Sequence, residues 1–230
     1  MSDAIVDRSV SHVKKILEGA EGGHDWYHTE RVWKTALFVR EKEGQGDLLT
    51  IELASLLHDI SDPKFNEGDE EAGHLLATGF LAEQGVDNAR IEHIGQIIRN
   101  VSYKGGQGQV EIDSIEFRIV QDADRLDAMG AVGIARTFNY GGYKNLPIYD
   151  PTVPVTEYED SRSYYRSKAP TINHFYEKLL KLKDLMNTAT GRALAEDRHA
   201  FMLQFLERFY RECHQVPPDH LRQYRRNETR

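Results

Sequence analysis

The chain has 230 residues, 40% of them hydrophobic, which is enough to bury a substantial core. Its 37 acids against 29 bases leave a formal net charge of −8. That sign repels polyphosphate and excludes general binding to nucleic-acid polymers, while leaving room for a small phosphorylated ligand beside a local cation.

Cys213 is the single cysteine, so no internal disulfide can form. The opening "MSDAIVDRSV" has neither a basic n-region nor an apolar h-region. No apolar run approaches the ~20 residues that span a bilayer. A soluble, cytoplasmic protein with no membrane partner is expected.

In chain order, nearly every segment reads with a helical period. Ser2 can cap a first helix whose Ile5, Val6, Val13, Ile16 and Leu17 recur at three- and four-residue steps. A second helix follows Thr29 through Val32, Ala36 and Val39 and stops near Gly44. The third starts at Asp47 and runs through "IELASLLHDISD" to about Asp62, because Pro63 disfavours helical geometry at the residue before it. Residues 69–84 have acids in the first turn and Gly85 after the last. Residues 87–99 form another helix, and residues 114–139 a single long one. Residues 140–169, rich in Gly, Pro and Tyr, predict an ordered loop or lid. Thr171 caps "INHFYEKLLKLKDLMN", a last long helix covers "GRALAEDRHAFMLQFLERFYREC", and residues 215–230 form a loose tail. "GQVEID" is the only short strand candidate. The fold expected is all-α, one helical domain over residues 1–230, with a C-terminal helical extension at 171–214. Its amphipathic C-terminal helices can close on the core or support a homodimer.

Three places interrupt this apolar periodicity with chemistry. His58, Asp59 and Asp62 sit at a helix C-terminus, whose partial negative charge disfavours acids by up to ~1 kcal/mol each. "ASLL" just upstream predicts burial, where an unpaired carboxylate costs far more. A divalent cation reverses both penalties; a solvated helix end with incidental acids is the other reading. Asp124 falls in an apolar line between Val120 and Ala131 and should point inward as a ligand, whereas Asp122 and Asp127 read as partners of Arg125 and Arg118. In "GGHDWYHTERVW", His28 opens an amphipathic helix and is the better-placed donor. His24 reads as a loop residue, or one that touches a ligand rather than the ion.

His28, the His58–Asp59 pair and Asp124 in "DADRLD" resemble the H…HD…D signature of the HD-domain metal-dependent phosphohydrolase superfamily. The signature region covers residues 24–138. "IIRNVSYKGG", "GAVGIARTFNYGG" and "TINHFYEKLLKLKDLMNT" extend the likeness to a bacterial subgroup typified by YedJ and YpgQ. The resemblance implies an HD-type helical bundle in which His28, His58, Asp59 and Asp124 ligate one metal ion. Asp62 stands where relatives often carry a catalytic Glu. His74 and His93 lie where members with two metals have further ligands, but here they read as packing or surface residues.

Two imidazoles and two carboxylates suit Mn²⁺, Mg²⁺ or Fe²⁺. Asp62 is the candidate acceptor for the proton of an attacking water. Lys104 in "SYKGG" is the candidate phosphate-binding cation, since flanking glycines let the loop approach a ligand closely. Tyr140, Tyr143 and Tyr149 offer stacking surfaces or loop anchors. The expected function is hydrolysis of a small phosphorylated substrate, with a nucleotide implied by the subgroup and pyrophosphohydrolysis of an NTP or dNTP as the specific form. The alternative is a non-catalytic, metal-stabilised helical binding or regulatory module.

Overall fold

The computed structural model describes residues 2–20, 23–60, 70–101, 112–156 and 168–216, with positions 218, 221 and 224. Among these, regular structure is helical throughout, and the fold is all-α. In order come α1 (Ser2–Ile16), α2 (Trp26–Glu43), α3 (Leu48–Leu57), α4 (Glu70–Glu83), α5 (Asn88–Val101), α6 (Ile115–Asp127), α7 (Gly130–Tyr143) and α8 (Asn173–Glu177). A 3₁₀ segment (Leu179–Leu185) and α9 (Ala189–Glu212) complete the series.

α3 is the central element. Thr50, Ile51 and Leu53 through Leu57 are all buried, because a helix apolar on every face must be enclosed on every face. α1, α2, α5 and α6 surround it. Asp47 begins it, accepting from the Thr50 backbone N–H at 2.8 Å, as its sequence position predicts. α2 starts three residues earlier than Thr29 suggests, because Asp25 caps it by accepting from the His28 backbone N–H. The buried stripe of α2 is His28, Thr29, Val32, Ala36 and Val39, so His28 heads the line that packs on α3 and α6.

The apolar side chains form two clusters. The first draws on α1 through α6 and holds Val13, Val39, Leu57, Ile97 and Ile119; the second runs from Leu126 and Met129 to Phe175, Met202 and Leu206. α6 belongs to both. α9 presents Gly191, Ala195, His199, Met202, Leu206 and Tyr210 along one helical line and lies against α6, α7 and α2.

Five expectations are corrected. Residues 114–139 are not one helix: the chain breaks after Asp127, and Gly130 has φ +67°, a left-handed conformation open to glycine. A side chain at Gly133 would collide with the Ala128 carbonyl, so α7 folds back tightly on the end of α6. α7 continues through Tyr143, which moves the start of the loop from Tyr140 to Lys144. "INHFYEKLLKLKDLMN" is not a single helix either; Lys178 leaves helical geometry and the leucines at 179, 182 and 185, spaced by three, enter a 3₁₀ segment, where side chains at that spacing eclipse. Thr171 donates to the Pro147 carbonyl instead of capping. α3 ends at Leu57 with His58 as its cap, short of Asp62. The side chain of Ser2 and residues 108–111 of the strand candidate lie outside the described residues; Ile112 and Asp113 form no strand.

Asp122 is not paired with arginine. Fully buried, it accepts from the backbone N–H groups of Asn187 and Thr188 at 2.8 Å each, from Asn187 Nδ2 at 2.9 Å and from Thr188 Oγ1 at 2.8 Å. It thereby fastens α6 to the start of α9. Arg118 binds Asp113, and Arg125 donates to the Leu185 carbonyl. Tyr149 packs edge-on to Phe209 and Tyr210, as an anchor of the loop. Asp122→Ala leaves several buried donors without an acceptor and should cost about 3–5 kcal/mol, read from urea unfolding. Asp113→Ala, removing an exposed pair, should leave the midpoint where it was.

Candidate metal centre

The candidate donors meet where α2, α3 and α6 converge. The His28 ring is buried because it opens the apolar stripe of α2, and its Nδ1 donates to Asp127 Oδ2 at 2.8 Å. His58 caps α3, and its Nδ1 donates to the Ser55 carbonyl at 2.8 Å. A carbonyl or an ionised carboxylate only accepts, so both rings carry a proton on Nδ1 and turn Nε2 inward, where a lone pair is available whenever the ring is neutral. Asp59 follows His58 just beyond the helix, and Asp124 projects from α6.

The geometry is that of a shared centre. The two Nε2 atoms are 3.3 Å apart. Asp124 Oδ1 stands 3.7 Å from each, and Asp59 Oδ2 3.6 Å from His28 Nε2. Donors about 2.0–2.2 Å from one ion are separated by about 3–3.5 Å at octahedral or tetrahedral angles, so His28, His58 and Asp124 are spaced as candidate donors to a divalent cation, with Asp59 approaching the same His28 nitrogen. Two groups of three satisfy the ligand spacing, His24–His28–Asp59 and His28–His58–Asp124. They share His28, which has one lone pair to give once Nδ1 is engaged, so an ion held by His28 would lie where the two groups meet. His24 Nδ1 lies 2.6 Å from Asp59 Oδ2, the separation of a hydrogen bond, and it orients that carboxylate.

Charge in the pocket is balanced locally. Burial works against ionised Asp59 and Asp124, yet the neighbouring imidazoles hold both well below the usual carboxylate range. Burial lowers His28. Burial also opposes charge on His58, but the carboxylates of nearby Asp124 and Asp59 win and push it up to about 9. Without a cation, His58 therefore favours its charged form.

The sequence did not disclose what supports His28. Asp127 accepts from His28, from Arg31 Nε at 2.6 Å and Nη2 at 3.0 Å, and from Arg136 Nη1 at 2.7 Å. Its partners are not Arg125 or Arg118. The available signal was its position one turn beyond Asp124. For Arg136 there was none. His93 Nε2 lies 2.9 Å from Ser114 Oγ at the start of α6, and His74 is buried against Gly95; neither joins the cluster. Asp62 and Lys104 lie outside the described residues.

This fold is that of the HD domain, whose family model matches residues 25–129, and the chain belongs to that family, which includes HD-superfamily hydrolases. It is 40% identical to YpgQ of Bacillus subtilis over 205 residues, 87% of this chain and 89% of that protein. The crystal structure of an HD-superfamily hydrolase from Bacillus thuringiensis is 44% identical, covers 94% of this chain and all of its own, and superposes with a TM-score of 0.73. That of Bacillus subtilis YpgQ in complex with ADP is 33% identical over 90% of this chain and 97% of its own, with a TM-score of 0.68. No helix among the described residues is long and apolar enough to cross a membrane.

The proton on His58 sets a pH dependence. A cation must displace it at any pH below about 9, while the other donors are already deprotonated. Apparent Mn²⁺ affinity should rise about tenfold per pH unit from pH 7 to 8, measured from free Mn²⁺ by electron paramagnetic resonance; a flat profile would contradict the assignment. In metal-free protein the stabilisation from charged His58 is complete below its unfolded value of 6.5 and is lost as pH rises through about 9.

Proposed function

We propose that this chain is a metal-dependent phosphohydrolase acting on a small phosphorylated substrate, specifically a nucleotide, with an NTP or dNTP cleaved to monophosphate and pyrophosphate as the leading case. The observation that carries this reading is the convergence of two imidazole Nε2 atoms with carboxylate oxygens at 3.3–3.7 Å, in a family of hydrolases. The ADP bound by YpgQ supports a nucleotide ligand.

In this reading His28, His58, Asp59 and Asp124 hold one divalent cation, with Mn²⁺, Mg²⁺ and Fe²⁺ all suited to the donor set. When bound, the ion neutralises phosphate charge and lowers the pKa of a nearby water. His24 and Asp127 keep Asp59 and His28 aimed, so the donors need little rearrangement to receive it. Asp62, three residues after Asp59, accepts the attacking water's proton directly or through one further water. Lys104, beside Gly105 and Gly106, supplies positive charge to the phosphate chain. As the water oxygen bonds to the α-phosphorus, the bond from that phosphorus to its bridging oxygen breaks. The leaving pyrophosphate carries off the electron pair. The roles of Asp62 and Lys104 rest on sequence position.

Asp59→Ala should weaken Mn²⁺ uptake by more than about 100-fold. Asp62→Ala should keep the metal and lose about 10²–10⁴-fold in kcat. A screen of dNTPs, NTPs, NMPs and an aryl phosphate with Mn²⁺, products resolved by chromatography, tests the substrate. Activity confined to the aryl phosphate would end the nucleotide assignment, and no turnover of any substrate would leave a metal-stabilised binding module.

A further inference from the structure

Arg136 lies on α7, beyond the break at Gly130, and its guanidinium reaches two separate parts of the chain. Nη1 donates to Asp127 Oδ2 at 2.7 Å, and Nη2 donates to the Gly23 carbonyl at 2.6 Å, 113 residues away. Both acceptors lead directly to the candidate donors. Asp127 Oδ2 is the oxygen that accepts from His28 Nδ1. Gly23 immediately precedes His24, whose Nδ1 meets Asp59 Oδ2.

We propose that Arg136 is a positioning residue for the metal centre, clamping the loop that carries His24 to the carboxylate that orients His28. This rests on reading the His28–His58–Asp59–Asp124 cluster as that centre. The bridge closes a circuit from Gly23 through Arg136, Asp127 and His28 on one side, and through His24 and Asp59 on the other. Two of the candidate donors are thus aimed by one side chain that touches neither. Arginine suits the task because its planar fork presents two separate nitrogens to two acceptors at fixed geometry; the single ammonium of lysine cannot span them in the same way. Together with Arg31, which grips both oxygens of Asp127, it places two positive charges on one carboxylate. Asp127 is held well below the usual carboxylate range: burial opposes its charge, while the hydrogen bonds from His28 and Arg31 and the charge of Arg136 favour it. Asp127 then accepts the Nδ1 proton of His28 and does not compete for the cation.

The test is Mn²⁺ binding without substrate, followed by electron paramagnetic resonance of the free ion, for wild type, R136K and R136M, with folding checked by circular dichroism. R136M should bind Mn²⁺ about 10–100-fold more weakly. R136K should fall between the two, since it keeps a charge beside Asp127 but loses the tie to Gly23. Turnover lost at low Mn²⁺ in either variant should be recovered by raising Mn²⁺. If R136M does not fold, R136K alone decides. Unchanged Mn²⁺ affinity in R136K overturns the clamp, as does a raised KM for nucleotide with metal affinity intact, which would make Arg136 a substrate contact. A wild type that takes up no Mn²⁺ overturns the metal-centre reading itself, whereas wild-type binding that the variants share overturns only the role of Arg136.

Discussion

Carboxylates brought together out of water repel one another and lose their hydration, and the junction of α2, α3 and α6 is stable because each one meets a directed donor. Asp59 has His24, Asp124 has His58, and Asp127 has His28, Arg31 and Arg136. Every partner is an imidazole or a guanidinium. The arrangement gathers the inward Nε2 atoms of His28 and His58 and the oxygens of Asp59 and Asp124 within 3.3–3.7 Å contacts. A cation is the natural completion of such a set, since it becomes the largest charge present and reverses the repulsion.

The three aspartates of "DADRLD" show how one helix serves fold and site at once. A step of two residues turns a helix by about 200° and a step of three by about 300°, so Asp122 points away from Asp124 while Asp127 lies to one side of it. Asp122 faces α9 and receives the start of that helix. Asp124 faces the candidate centre, and Asp127 faces the ring of His28 and two arginines. α6 also joins the two apolar clusters, with Ile119 and Val120 in one and Leu126 in the other. Packing of the C-terminal helices therefore bears on the position of Asp124 through the rigidity of a single element. The break at Gly130 then lets α7 double back, which is what brings Arg136 within reach of Asp127.

Membership of the HD family agrees with this arrangement without replacing the physical account of it. The candidate donors come from the start of α2, the end of α3 and the last turns of α6, and only the packing of all three brings them near one another. Both histidines have their tautomer set by what Nδ1 touches, a carboxylate for His28 and a backbone carbonyl for His58.

Much was legible beforehand because it depends on local pattern. The all-α class follows from three- and four-residue apolar spacing, α3 from a fully apolar run behind Asp47, and the candidate donors from acids and histidines set against that periodicity. The break at Gly130 was hidden, since the apolar pattern of "RLDAMGAVGIARTF" continues in helical phase across it, and only the contacts of Gly130 and Gly133 with their neighbours show why the helix must stop. The 3₁₀ segment was hidden by the same overlap of periods. What the chain determined by itself was which donors exist and which helices carry them. Tertiary structure alone decided where each acid's charge is spent. Asp127 meets Arg31 across 96 residues, and Arg136 meets Gly23 across 113. A sequence records the charge of a side chain, but direction and partner are settled only when distant helices pack.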